Sequence, residues 1–157
     1  MMSALLSTTA LATLLAITQT APLGTSLTNA GFESASPHES WTLHVYGAQP
    51  TVVLDKQIAH TGRQSLRVVA DEPSDVAFGQ ELQLLPGRWY RLTGWVRTEN
   101  LDPHGAPTCG TFQVQQPGGT GIIATGQNHP GTCDWVREEV YFTPPSDGRT
   151  RIAIFFV

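Results

Sequence analysis

The sequence predicts an all-β fold, a sandwich or jelly roll of two antiparallel sheets, and three observations predict it. The 157 residues include 15 Gly and 11 Pro, so turn-forming residues interrupt the chain at short intervals. Between the interruptions lie about nine or ten short strand-like segments, the spacing expected of a sandwich. No segment repeats apolar residues at helical spacing, and the chain has no internal repeats.

The segments follow in order. Residues 41–46 (WTLHVY) alternate polar and apolar, and 51–54 (TVVL) form a short β-branched run. Residues 65–70 (SLRVVA) follow a turn at 60–63, and 76–84 lead into the Pro86-Gly87 turn. Residues 89–97 form the clearest strand. Then come 111–115, a turn at Pro117-Gly118-Gly119, 122–125, 135–142, a break at Pro144-Pro145, and 151–157. Side chains on a strand alternate between its two faces, so Tyr90, Leu92, Gly94 and Val96 belong to the core. Trp89, Arg91, Thr93, Trp95 and Arg97 then look outward. Exposed rings beside planar donors suit a sugar, which stacks its C–H face and hydrogen-bonds through its hydroxyls. The alternative use of Trp89 and Trp95 is to cover the sheet under a loop.

The length suits one domain. With 40% hydrophobic residues, among them 4 Trp, 3 Tyr and 6 Phe, the chain can fill a core. A formal charge of −4, from 9 Lys+Arg against 13 Asp+Glu, lacks the basic excess needed to grip nucleic-acid phosphates. No charged residue precedes Glu33, and residues 4–17 form an apolar run followed by small residues near Ala21. Residues 1–21 therefore read as a secretory leader, which predicts a secreted, extracellular or cell-envelope protein with no membrane span once the leader is removed. A membrane anchor is the competing reading, but the run is short and carries Ser and Thr. Cys109 and Cys133 have no zinc-ligand spacing. After export they are expected to form a disulfide, whereas in a reducing compartment they are two small buried residues.

A family pattern emerges from the motifs taken together. Asn29-Ala30-Gly31-Phe32-Glu33, then Trp41, then His60-Thr61-Gly62-Arg63-Gln64-Ser65-Leu66 open it. Gln80, Leu82, Leu84, Pro86, Gly87, Tyr90, Leu92, Trp95, Val96 and Arg97 continue it, followed by Trp135 and Phe142-Thr143-Pro144-Pro145. Over 27–157 this resembles the carbohydrate-binding modules of families 4 and 9. The resemblance implies a galactose-binding-like β-jelly-roll that binds polysaccharide such as xylan, cellulose or β-glucan without catalysis and targets a tethered glycoside hydrolase. It places Thr93, Trp95 and Arg97 on the binding face, with Arg91 at the margin. Arg151 and Phe155 on the last strand join them, as do Gln113 and Gln115, and Trp41 and Tyr46 stand where the family puts groove-edge aromatics, with the core as the equal alternative for Trp41. It also implies a structural calcium on the Gly31 carbonyl and the Glu33 carboxylate, oxygen ligands suited to a hard cation. The family's final acidic strand has no counterpart here. The domain is thus expected to be short of one strand, with the edge beside 151–157 left unpaired.

Enzyme signatures are missing from the sequence. It has no GxSxG, HExxH, P-loop or CxxC. Glu138 and Glu139 are adjacent on one strand and so face opposite sides, which prevents them from sharing a glycosidase cleft. Two alternatives to sugar binding stand: a structural sandwich that packs on a catalytic domain, and a glycosyl-bond hydrolase.

Overall fold

A computed structural model describes residues 2–6, 11–13 and 26–156 of the chain. The protein is all-β, and its two antiparallel sheets pack face to face in a jelly-roll-like sandwich. Two strands precede the main body, β1 (Met2–Leu6) and β2 (Leu11–Thr13). The body contributes β3 (Thr42–Gly47), β4 (Thr51–Asp55), β5 (Ser65–Ala70), β6 (Ser74–Gln83) and β7 (Tyr90–Leu101). Then follow β8 (Thr111–Gln115), β9 (Ile122–Thr125), β10 (Gly131–Phe142) and β11 (Arg149–Phe156). One sheet runs β10-β7-β1-β5-β4, with β2 also paired to β7, and the other runs β3-β6-β11-β8-β9.

The core lies between the sheets and is filled by the rows that alternation assigns to it. Tyr90, Leu92 and Val96 of β7 are buried, and so are Phe112 and Val114 of β8 and Ile152, Ile154 and Phe156 of β11. Each fully buried large apolar side chain contributes about 1.5–3 kcal/mol. Gly94 packs directly against Phe112 of the other sheet, since a Cβ there would lie 2.4 Å from the Phe112 ring. A larger residue at Gly94 would force the sheets apart.

Buried amides fix the loops onto this core. Gln80 donates to the carbonyls of Thr28 and Ser40 and accepts from the Thr28 N–H, tying the entry loop to β6. Gln64 donates to the Phe32 and Ser34 carbonyls at 2.6 and 2.8 Å. The Tyr90 hydroxyl accepts from the Leu85 N–H at 2.8 Å and so clamps the Pro86-Gly87 turn.

Two expectations are corrected or bounded here. The edge beside 151–157 is not open, because β11 is the middle strand of its sheet, paired to β6 on one side and β8 on the other. The lane that the body does not close by itself lies in the other sheet. There β5 and β7 are joined through β1, with Leu5 in register with Arg67 and Arg97. Of the expected leader 1–21, only 2–6 and 11–13 fall within the described residues, as strands. The remainder lies outside them. No helix among the described residues is long and apolar enough to cross a membrane.

Candidate functional site

Two sheets leave two outward faces, and the candidate residues divide between them. On the sheet β3-β6-β11-β8-β9, the outward row of β11 is Arg151, Ala153 and Phe155, and that of β8 is Gln113 and Gln115. Register aligns Arg151 with Glu81 and Gln115, Ala153 with Gly79 and Gln113, and Phe155 with Ala77. On the β3 side, Thr42 faces Gly79, His44 faces Ala77, and Tyr46 faces Asp75. The face therefore has a small-residue floor of Ala77, Gly79 and Ala153. Rings stand at one end, amides and a guanidinium at the other, about 13 Å apart along β11.

The polar end is a connected chain. Arg151 Nη1 donates to Gln115 Oε1 at 2.9 Å, and Gln115 Nε2 donates to Gln113 Oε1 at 2.7 Å. All three side chains are buried although they belong to the outward row. Gly79 makes this packing possible, because a Cβ there would lie 2.5 Å from Arg151 Nε and block the guanidinium from lying flat on the sheet. Burial presses the Arg151 guanidinium below its ordinary value, while Glu81 and Tyr46 pull it back up. Burial also lowers His44, and the neighbouring Arg151 charge adds to that shift. Asp75, beside Tyr46 in register, is raised by burial.

The other outward face belongs to β7 and β10. Trp95 is covered by His60 from the β4–β5 loop, with ring centroids 3.8 Å apart and planes within 15°. His60 also meets Trp135 edge-on at 5.8 Å. The charges on this face are paired: Arg91 with Glu139 at 3.9 Å, Arg97 with Asp134 at 3.7 Å, and Arg137 with Glu139 at 2.6 Å. Thr93 is buried. The structure thus brings Gln113, Gln115, Arg151, Phe155 and Tyr46 together, and places Arg91, Thr93, Trp95 and Arg97 on the opposite outer surface.

Trp41 belongs to neither face. It is 2% exposed, packs against Phe32 and Phe78, and donates its indole N–H to the carbonyls of Thr28 and Asn29. Its position one residue ahead of β3 turns it inward to seal the core, so a groove-edge role is corrected.

Of the oxygens expected to hold calcium, the Glu33 carboxylate is engaged by Arg63. Glu33 Oε1 accepts the Arg63 N–H at 3.0 Å and Oε2 accepts Arg63 Nε at 3.2 Å, while the Glu33 carbonyl accepts Arg63 Nη2. These bonds, led by the Arg63 backbone N–H, hold the Glu33 carboxyl below its ordinary value. The Phe32 and Ser34 carbonyls on either side of Glu33 accept from Gln64. A calcium ion on the Glu33 carboxylate would take the place of its contacts with Arg63, whose side chain is exposed. No group of three or more His, Cys, Asp or Glu residues able to hold a metal occurs among the described residues.

Both cysteines are free, which corrects the expected disulfide. Cys109 is buried in the core, where desolvation raises its thiol, and Cys133 on β10 shares a hydrogen bond of 3.2 Å with the Thr98 hydroxyl. Glu138 and Glu139 do face opposite sides. Glu138 is buried against the Thr111 hydroxyl at 2.8 Å, and Glu139 sits in the outward arginine network.

Thr42, His44, Gly79 and Glu81 are the members of the first face that sequence reasoning passed over. The alternation in WTLHVY already groups Thr42, His44 and Tyr46 on one side. What sequence lacked was the pairing partner β6. Compared with known proteins, the chain matches no family model, no curated protein and no solved structure.

Proposed function

We propose that this domain is a non-catalytic carbohydrate-binding module, that it takes a polysaccharide chain along the outward face of β3-β6-β11-β8-β9, and that it serves an exported polysaccharide-active protein by holding a tethered glycoside hydrolase on its substrate. The single observation that carries the reading is the row of Gln113, Gln115 and Arg151, three buried polar side chains on an outward face. A sheet's outer surface ordinarily leaves such groups to water, so an ordered amide–guanidinium row suggests a polar ligand. Phe155 and the exposed Tyr46 add rings for the apolar face of a sugar. Each contact is weak, and retention comes from several along one chain and from tethering.

The resemblance to families 4 and 9 supports the same substrate class, β-linked chains such as xylan, cellulose or β-glucan. Affinity electrophoresis of the full chain through gels containing these glycans tests the reading. Retardation that is lost in Gln113→Ala and kept in Trp95→Ala is the expected pattern. Retardation insensitive to Gln113→Ala, or none in any gel, contradicts it.

A further inference from the structure

Arg151 brings a positive charge into the floor of this face without a carboxylate in ion-pair contact, Glu81 acting on it only at longer range. Its side chain is 4% exposed. Nη1 bonds to the neutral Gln115 amide, and Nη2 is buried with no hydrogen-bond partner. The other buried or half-buried arginines differ: Arg67, Arg91 and Arg97 each pair with a carboxylate, at 3.4, 3.9 and 3.7 Å. Glu81 stands opposite Arg151 in register, yet it is exposed and spends Oε1 on the Gly118 N–H at 3.0 Å. Taking a guanidinium out of water costs several kcal/mol unless a partner offsets it.

Two positions without side chains keep the guanidinium in place. A Cβ on Gly79 would lie 2.5 Å from Nε, and one on Gly119 would lie 2.8 Å from Nη1. Nε and Nη2 therefore lie over Gly79, directed toward the β3 side, where Thr42 is exposed. A planar guanidinium held flat, with an unused N–H edge, matches the geometry of a carboxylate.

We propose that this face selects acidic glycans, chains bearing uronic-acid residues, with a sugar carboxylate taken by the unpaired Nη2 of Arg151 once the ligand displaces what covers it, and the chain running on toward Phe155 and Tyr46. The inference rests on the glycan-binding reading of the face and narrows its substrate class. The chain as a whole, at −4, repels polyanions, so the selectivity is local to one cation and not a general basic attraction.

The test is affinity electrophoresis of the full chain in gels of polygalacturonate and of alginate, each beside its carboxyl-reduced form, and in a neutral xylan gel. At least one acidic polymer should retard the protein about tenfold more strongly than its reduced form, the worth of one charge-assisted contact. Arg151→Gln should erase that difference and Arg151→Lys should restore part of it. Equal retardation by acidic and reduced polymers, or retardation by xylan alone, overturns the inference and leaves the glycan reading standing. An acidic preference that persists in folded Arg151→Gln also overturns it. Absence of retardation in every gel overturns both. The comparison of polymers uses only the wild-type chain, so it decides the matter even if a variant fails to fold.

Discussion

The two outward faces of the sandwich treat their polar and aromatic groups in opposite ways. On β7 and β10 the outward groups are spent on each other: Trp95 lies under His60, and Arg91, Arg97 and Arg137 each meet a carboxylate. On β3, β6, β11 and β8 the outward groups form a one-way donor chain that leaves one guanidinium edge unpaired. The β7–β10 face keeps its arginines paired with carboxylates, although His60 Nδ1 is buried there without a hydrogen-bond partner. The second face differs in that its orphaned atom, Arg151 Nη2, belongs to a buried cation with no ion-paired carboxylate.

The largest effect expected from breaking this contrast is on binding. Replacing Gln113 and Phe155 together with Ala should lower glycan retention by about a hundredfold, two contacts of roughly 1.4 kcal/mol each. Affinity electrophoresis reads this, and the folded state is checked by an unchanged near-ultraviolet spectrum. On the opposite face, Trp95→Ala should cost about 1–2 kcal/mol of stability through the lost ring stack. Thermal unfolding measures that cost, and retention should stay at the wild-type level.

A smaller effect separates the faces by pH. His44 has its folded value lowered from 6.5 by burial and by Arg151. A lowered histidine means the unfolded chain takes up the proton first. The stability it contributes is therefore present above pH 6.5 and declines as pH falls below it. His44→Gln should flatten the stability profile just below pH 6.5, as followed by urea unfolding at several pH values. Glu33 behaves as an acid-side group: its folded value is lowered from 4.5, so its contribution is present above that pH and fades as pH falls through the folded value. Least of all, Glu139→Gln loosens only exposed ion pairs and should change stability by about 0.5 kcal/mol or less in the same unfolding experiment.

Much of the fold was legible because period-two alternation is a local property. The rows Tyr90-Leu92-Gly94-Val96 and Ile152-Ile154-Phe156 could be assigned to the core from spacing alone, and the structure buries them. What alternation cannot convey is which sheet a strand joins. That depends on pairing across long sequence separations, such as β6 with β11, which aligns Gly79 with Ala153. The site was therefore half legible. Arg151, Phe155, Gln113 and Gln115 were recognisable as outward residues, but without topology they were merged with Trp95 and Arg97 from the other sheet. Trp41 read equally as groove edge or core because it stands just before β3, where alternation has no register to continue, and its ring falls into the Phe32–Phe78 cluster. The Glu33–Arg63 pair shows the limit of motif reading as well. Both residues lay in the recognised segments, and only their contact shows that an arginine meets the carboxylate assigned to a metal.

The most direct test of the central claim is an NMR titration of the isotope-labelled chain with a soluble oligosaccharide from any glycan that retards it. The account predicts shift changes concentrated at Thr42–Tyr46, Ala77–Glu81, Thr111–Gln115 and Arg151–Phe155, with Arg91–Arg97 and Trp135–Tyr141 unmoved. Changes centred on Trp95 and Trp135 instead would contradict it.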